Sequence, residues 1–288
     1  MRVIGLTTLA MVFFAANSVL ARLALRESEI DGGTFTAVRI CSGALTLALL
    51  VGLRDRGLAP LKSNGTWSAA AALFGYAIAF SLAYLTLDAG VGALILFASV
   101  QITMITVGVT RGERPEFREW AGLGLAMLGL VYLVSPGLAA PSLLGSTLMA
   151  ASGIAWGCYS LAARGVDSPM TATAGNFVKA SPMAALVLLV TWALGEPHAS
   201  WAGVELGILS GAITSGLGYV IWYLALESLS TSRAAIVQLT VPVIAAAAGV
   251  LFLGEQLTAR LGFASIAILG GVALALTGIN RINRRVEE

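Results

Sequence analysis

Few side chains in this 288-residue chain are suited to covalent chemistry, and those inside its apolar segments are suited to binding. Gln101 and Gln238 are amides set deep in apolar runs, each with two N–H donors and one carbonyl acceptor. Asn17 is a third. Around them stand the aromatic residues Phe14, Tyr76, Phe80, Phe97, Trp156, Tyr159 and Tyr219. Aromatic walls with a few placed polar groups suit an amphipathic small molecule. Arg39 and Lys179 are cations within apolar runs, where a long side chain either snorkels to the headgroups or attracts an anionic, carboxylate-bearing solute. Asp88 with Glu227, and Glu113 with Glu255, fall at segment ends and read as gate or interface charges.

The residues that are missing exclude several classes. The single histidine, His198, falls in an expected outer loop, which speaks against Ser-His-Asp catalysis within the membrane and rules out multi-histidine metal sites, and no GxxxxGK[ST] loop serves nucleotide hydrolysis. We therefore expect no enzyme, no metal and no cofactor. None of the 15 carboxylates lies at the centre of an apolar segment, where a proton-coupling acid would sit. This favours facilitated movement of a solute over carboxylate-based proton antiport. A net charge of +2, spread over short flanks, points away from nucleic acid. Cys41 and Cys158 lie in apolar runs and read as buried, inert thiols.

The elements that hold these residues are set by hydropathy. The chain is 58% apolar and 11% charged, whereas about a quarter of the residues of soluble domains are charged. Mean hydropathy is +0.88. About 20 apolar residues cross a bilayer as a helix, and ten segments reach that length, near 3–22, 34–53, 67–87, 90–110, 117–135, 143–163, 172–194, 203–226, 230–252 and 258–279. With the N-terminus cytoplasmic, twelve Lys and Arg residues fall on the inner side, Arg22, Arg26 and Arg260 on the outer side, and Arg39 and Lys179 within the membrane. Both termini are then cytoplasmic. The first segment has features of a signal peptide, but Phe14, Asn17 and Arg22 recur at an offset of 142 as Trp156, Tyr159 and Arg164, so it reads as a permanent helix.

That recurrence runs along the whole chain. Tyr84 to Asp88 returns as Tyr223 to Glu227, Val100-Gln101 as Val237-Gln238 and Gly112-Glu113 as Gly254-Glu255, at offsets of 139, 137 and 142. Arg39 and Lys179 correspond at 140. Copies of five helices must enter the membrane in opposite orientations, the arrangement many secondary transporters build around a midplane site. The expected fold is all-α: a polytopic membrane protein of ten transmembrane helices in two inverted five-helix repeats, 1–138 and 139–280, with a cytoplasmic tail at 281–288. The ridge Ala71, Gly75, Ala79 and Ala83 and its counterpart Ser210, Thr214, Gly218 and Trp222 make the third and eighth helices central elements.

Leu253-Gly254-Glu255-Gln256-Leu257 with Gly262 and Leu269-Gly270-Gly271, the weaker copy Gly112-Glu113, Trp120, Gly122 and Gly129, and Ala155-Trp156-Gly157 with Pro242 carry a resemblance. The chain resembles the ten-helix drug/metabolite transporter superfamily, specifically its EamA-type exporters. Through Phe97-Ala98-Ser99-Val100-Gln101 it looks most like bacterial inner-membrane exporters of aromatic amino acids. The resemblance implies a cavity lined by helices 1, 3, 4, 6, 8 and 9 and export of amphipathic, neutral amino acids by alternating access, from a monomer-competent protein in the lipid bilayer. Fold does not fix the substrate. Another metabolite or drug is the alternative within the superfamily, and an intramembrane enzyme or structural subunit the alternative outside it.

Overall fold

The computed structural model describes residues 2–26, 29–58, 61, 64–110, 117–135, 140–162, 166, 168–195, 197–226, 237–238 and 240–286. They are helical almost throughout: α1 (Arg2–Arg26), α2 (Gly32–Asp55), α3 (Trp67–Ala83), α4 (Ala89–Thr110), α5 (Phe117–Val134), α6 (Leu143–Ala162), α7 (Pro169–Leu194), α8, α9 (Thr240–Leu253) and α10 (Ala259–Val286). Helix α8 is composite, running from Trp201–Ile208 through a π-helical segment, Leu209–Leu217, into Gly218–Leu226. Among the described residues the one β-type pairing is a bridge between Ile30 and Ala199. Helix α10 continues through residues 281–286, which the sequence set apart as a tail.

Local chemistry fixes several helix starts. Asp31 caps α2 by accepting from the Thr34 N–H at 2.8 Å, Thr66 caps α3 through the Ala69 N–H at 3.1 Å, and Ser200 caps α8 through the Gly203 N–H at 3.0 Å. Each supplies an acceptor that the first turn lacks. In α7, Pro182 removes one backbone donor from the helix interior.

Five helices are long and apolar enough to cross a membrane by length and composition: Val3–Arg26, Gly32–Asp55, Ala89–Thr110, Pro169–Ala193 and Trp201–Trp222. Shorter apolar helices accompany them. The outer surface is apolar in a way no soluble protein tolerates, with Leu49, Leu53, Leu189, Trp192, Phe252 and Phe263 all exposed. The chain is thus a multi-pass membrane protein. Cys41 and Cys158 are free thiols, as expected, but correct the sequence reading of their burial: both lie exposed on the outside of the bundle. Lipid is as apolar as a protein core, so an apolar run does not tell the two environments apart.

Helix α2 packs on α7, α3 and α4 on α6, α1 on α9 and on the later part of α8, α4 on α9, and α5 on α10. Advancing every helix five places returns the same set of pairs. Small residues permit the close crossings. A Cβ on Gly153 of α6 would lie 2.5 Å from the Leu96 carbonyl oxygen of α4, and one on Gly271 of α10 would lie 2.5 Å from that of Gly122 on α5. Gly211, in the π-helical segment, is so close to α2 that a Cβ there would collide with the Arg39 carbonyl and the Ser42 hydroxyl.

Gly211→Ala must push α8 off α2, whereas Gly124→Ala meets open space. Overpacking of this kind costs about 1–3 kcal/mol. In detergent, G211A is expected to melt several degrees below the wild type and G124A with it; equal melting of both variants would show that the π-helical segment is not held against α2.

Candidate solute-binding site

At the centre of the bundle a small cavity is lined by Phe14, Asn17 and Ser18 of α1, Tyr76 and Phe80 of α3, Leu96 and Phe97 of α4, Trp156 of α6, and Thr214 and Tyr219 of α8. Its aromatic walls interlock. Trp156 lies 4.8 Å from Tyr76, 4.9 Å from Tyr219 and 5.5 Å from Tyr159 between ring centroids, and Phe14 meets Trp156 edge-on at 6.3 Å and Tyr219 at 6.0 Å. Such tilted and edge-on pairs suit the ring quadrupoles. The sequence explains how Trp156 reaches this place: Gly153 and Gly157 let α6 lie against the Leu96–Thr103 stretch of α4. The cavity measures about 20 Å³, room for about one water. A larger solute fits once the rings separate.

One polar cluster, its two parts joined at the Tyr76 hydroxyl, stands behind the walls. Asn17 Oδ1 accepts from Ser210 Oγ at 2.7 Å and Thr214 Oγ1 at 3.1 Å, and Asn17 Nδ2 donates to Tyr76 Oη at 3.4 Å. Its amide therefore ties α1 to α3 and α8 as well as lining the cavity. Arg39 is 2% exposed. Its Nη2 donates to Tyr76 Oη at 2.7 Å and its Nε to Ser215 Oγ at 3.2 Å, while its guanidinium carbon lies 5.0 Å from the Tyr76 ring centroid and 4.8 Å from that of Phe80. Nη1 has no partner. The π-helical segment supplies three of these contacts, through Ser210, Thr214 and Ser215, and such segments are frequent at functional sites.

The remaining candidates are dispersed. Gln101 and Gln238 are buried, but neither lines the central cavity, and Gln101 Nε2 lacks a partner. Lys179, the repeat counterpart of Arg39, donates to the Asn64 carbonyl at 2.7 Å, where the 64–66 stretch crosses α7 at Gly175. Asn176 accepts from the Thr66 N–H at 2.9 Å in the same crossing. Glu227, Glu113, Arg164 and Arg233 lie outside the described residues. Ser18, Leu96 and Thr214 complete the lining that the sequence did not assign to it; a row of small and hydroxyl residues on α8 was the available signal for Thr214.

Where α1 and α3 end and α4 begins, a second polar cluster closes the bundle. Arg22 Nη1 donates to the Tyr84 carbonyl at 2.9 Å, Nη2 pairs with Asp88 Oδ1 at 3.2 Å, and Nε lies 3.7 Å from Glu255 Oε1. Glu255 itself accepts from the Ala89 N–H at 2.8 and 3.0 Å, capping the start of α4 with a residue from beyond α9. A Cβ on Gly90 would lie 2.7 Å from Ala246 Cβ, so α4 and α9 touch here. Outside this latch lies a polar vestibule of about 450 Å³ lined by Arg26, Asp88, Ser142, Glu255 and Gln256 among others.

A helical membrane bundle with an aromatic cavity at its centre and a charged closure at one end defines a transporter. The EamA-like transporter family model matches residues 1–135 and again 143–277, and the chain belongs to that family. An uncharacterized protein of Pseudomonas aeruginosa is 49% identical over 287 residues, covering 100% of this chain and 98% of its own. A probable amino-acid metabolite efflux pump of Salmonella typhimurium is 27% identical, with 73% of this chain and 74% of that protein covered. The threonine/homoserine exporter RhtA of Escherichia coli is 28% identical over 62% of this chain and 59% of its own. One crystal structure superposes with a TM-score of 0.66 at 19% identity over 98% of both chains, a likeness of fold.

Glu255 gives the latch a titratable group. Burial, reinforced by Asp88, raises the Glu255 carboxyl above its ordinary 4.5, against the Ala89 and Gly90 N–H groups and Arg22, which lower it. A carboxyl with a raised pKa in the sealed arrangement favours sealing when protonated. That contribution is complete below about pH 4.5 and lost as the pH climbs through the raised value. With Cys41 and Cys158 replaced by serine, the variant Leu87→Cys, whose side chain is buried at the vestibule wall, is therefore expected to react faster with a polar maleimide as the pH rises through that window, after correction for thiolate content, and Glu255→Gln should remove the trend. A trend unchanged in the E255Q background would mean that Glu255 does not control the closure.

Proposed function

We propose that the protein exports amino acids, aromatic or other neutral ones, across a bacterial inner membrane by alternating access through the central cavity. The observation that carries this reading is the cavity: aromatic rings and a few amide and hydroxyl groups, drawn from both family-matched stretches, converge on one place. Such a lining fits a solute with an apolar body and a polar end. The two relatives named for amino-acid metabolite efflux and for threonine/homoserine export support the solute class.

Two five-helix copies of opposite orientation account for the doubled family match and for the helix pairs that repeat every five positions. In this reading both termini are cytoplasmic, and the latch of Arg22, Asp88 and Glu255 faces the outside. Opening outward separates α4 from α9; opening inward separates their other ends. No carboxylate lines the central cavity. This supports facilitated export over proton exchange at the site; the solute and the lipid bilayer are partners in this reading, and a monomer suffices. Gln101 and Gln238 line the path once the cavity widens, and Lys179 and Glu227 are charges of the gates.

Counterflow in proteoliposomes containing this protein alone tests the reading. Radiolabelled phenylalanine and tryptophan are expected to exchange faster than threonine or homoserine. Trp156→Ala should cut exchange by about tenfold, as expected when one aromatic contact worth about 1.4 kcal/mol is lost, and Gln101→Ala and Gln238→Ala should impair it with insertion intact. A folded preparation that moves no amino acid, or prefers threonine with Trp156→Ala unaffected, refutes it.

A further inference from the structure

Arg39 presents a charge without a counter-charge. It is 2% exposed, and the protein supplies it with neutral partners only: the Tyr76 and Ser215 hydroxyls in line with two of its nitrogens and the Tyr76 and Phe80 rings across its faces. Among the described residues no carboxylate lies within 4.0 Å of it. A guanidinium cannot shed its proton to escape this. Buried cations are ordinarily paired, because neutral hydrogen-bond acceptors repay only part of what the lost water provided. Nη1 is buried and has no acceptor at all.

The position of this charge matters as much as its isolation. Tyr76 and Phe80, the two rings it touches, line the central cavity, so one layer of side chain separates the guanidinium from the solute space. The buried hydroxyl of Tyr219, a third lining residue, lies in the same group as Arg39 and Tyr76 and interacts with both. A charge with neutral partners only, one of its nitrogens without an acceptor, thus flanks a cavity that must widen before it holds anything larger than water. Lys179, related to Arg39 by the repeat, donates to the Asn64 carbonyl and does not line the cavity, so of the two cations Arg39 alone is in contact with its walls.

We propose that Arg39 is the carboxylate anchor of the site: a solute bearing a single carboxylate supplies the missing counter-charge. The rings part on loading, Tyr76 Oη gives up its place on Nη2, and the carboxylate accepts from Nη1 and Nη2 side by side, the planar match that a guanidinium fork provides. The Tyr219 hydroxyl is within the same group and donates as well. The apolar remainder of the solute rests against Trp156 and Phe14. The inference rests on the export reading for the identity of the solute, but assigns the residue that selects its charged end and excludes neutral amides and amines of equal shape.

Two pairs of probes test it with purified protein in lipid nanodiscs: 3-phenylpropanoate against 3-phenylpropanamide, and L-phenylalanine against L-phenylalaninamide, with affinities read by calorimetry. The wild type should prefer the carboxylate of each pair by about tenfold or more, the effect of one charge-assisted contact. Arg39→Gln should bring the ratio close to one, by weakening the carboxylate of each pair more than its amide, and Arg39→Lys should retain part of the preference. The wild-type ratios stand on their own if R39Q fails to fold. Equal binding of both members by the wild type, or a preference that survives in folded R39Q, overturns the anchor. An Arg39-dependent preference for phenylpropanoate without exchange of any amino acid supports the anchor and overturns the amino-acid reading. Exchange of phenylalanine and its amide with equal affinity does the reverse, and no binding of any probe overturns both.

Discussion

The central constraint on this molecule is the enclosed guanidinium of Arg39. Bringing such a charge into a low-dielectric interior costs several kcal/mol. Stacking between two rings returns about 2 kcal/mol where water is excluded, and each hydrogen bond to the charge about 1.5–3 kcal/mol. Those contacts come from three helices. Tyr76 and Phe80 must sit on the inward face of α3, and Ser215 must be carried to α2 by the π-helical segment of α8. That approach in turn depends on the absence of a side chain at Gly211. Asn17 then binds Tyr76 to Ser210 and Thr214, so the walls of the cavity and the support of the charge are one structure.

The two polar clusters divide the work. The inner one is neutral except for Arg39 and is bounded by aromatic rings, two of which cannot part from the guanidinium without a replacement for the contacts it loses. The latch at the end of α1 is charged throughout, with Arg22 shared between Asp88 and Glu255 and Glu255 seated on the start of α4. Asp88 is about half exposed, so parting it from Arg22 costs only about 0–1 kcal/mol, whereas separating the buried Arg22 and Glu255 leaves each without its partner. Water from the adjacent vestibule of about 450 Å³ can replace it, so an opening on that side is an exchange of partners more than a loss of them. In our reading this is how a contracted cavity of about 20 Å³ becomes a compartment for a solute.

Much of this was legible in the sequence, for reasons that particular residues make plain. Long apolar runs admit only helices in a bilayer, so the helix positions followed from length alone. Phe14, Tyr76, Phe80, Phe97, Trp156 and Tyr219 could be grouped because the repeat places several of them in register, and all six line one cavity. Arg39 and Lys179 show where that method stops. Their offset of 140 makes them equals, and both could snorkel; yet Lys179 meets a carbonyl from a stretch that crosses its helix, while Arg39 meets rings and hydroxyls in the interior. Helix position does not encode which neighbour arrives. The π-helical register of α8 was hidden for a similar reason, since it is set by packing on α2, and the capping of Ala89 by Glu255 joins residues 166 apart in sequence. The thiols of Cys41 and Cys158 failed in the opposite way, because lipid and protein core ask for the same composition.

The central claim is that the aromatic cavity beside Arg39 is where the solute binds. A cryo-electron microscopy structure of the protein in nanodiscs saturated with 3-iodo-L-tyrosine, whose iodine marks the ring end, tests it most directly. The account predicts density between Trp156 and Tyr219 with the iodine toward Phe14 and the carboxylate end against Arg39. Density in the vestibule beside Asp88 and Glu255, with the rings around Trp156 still closed, would contradict it.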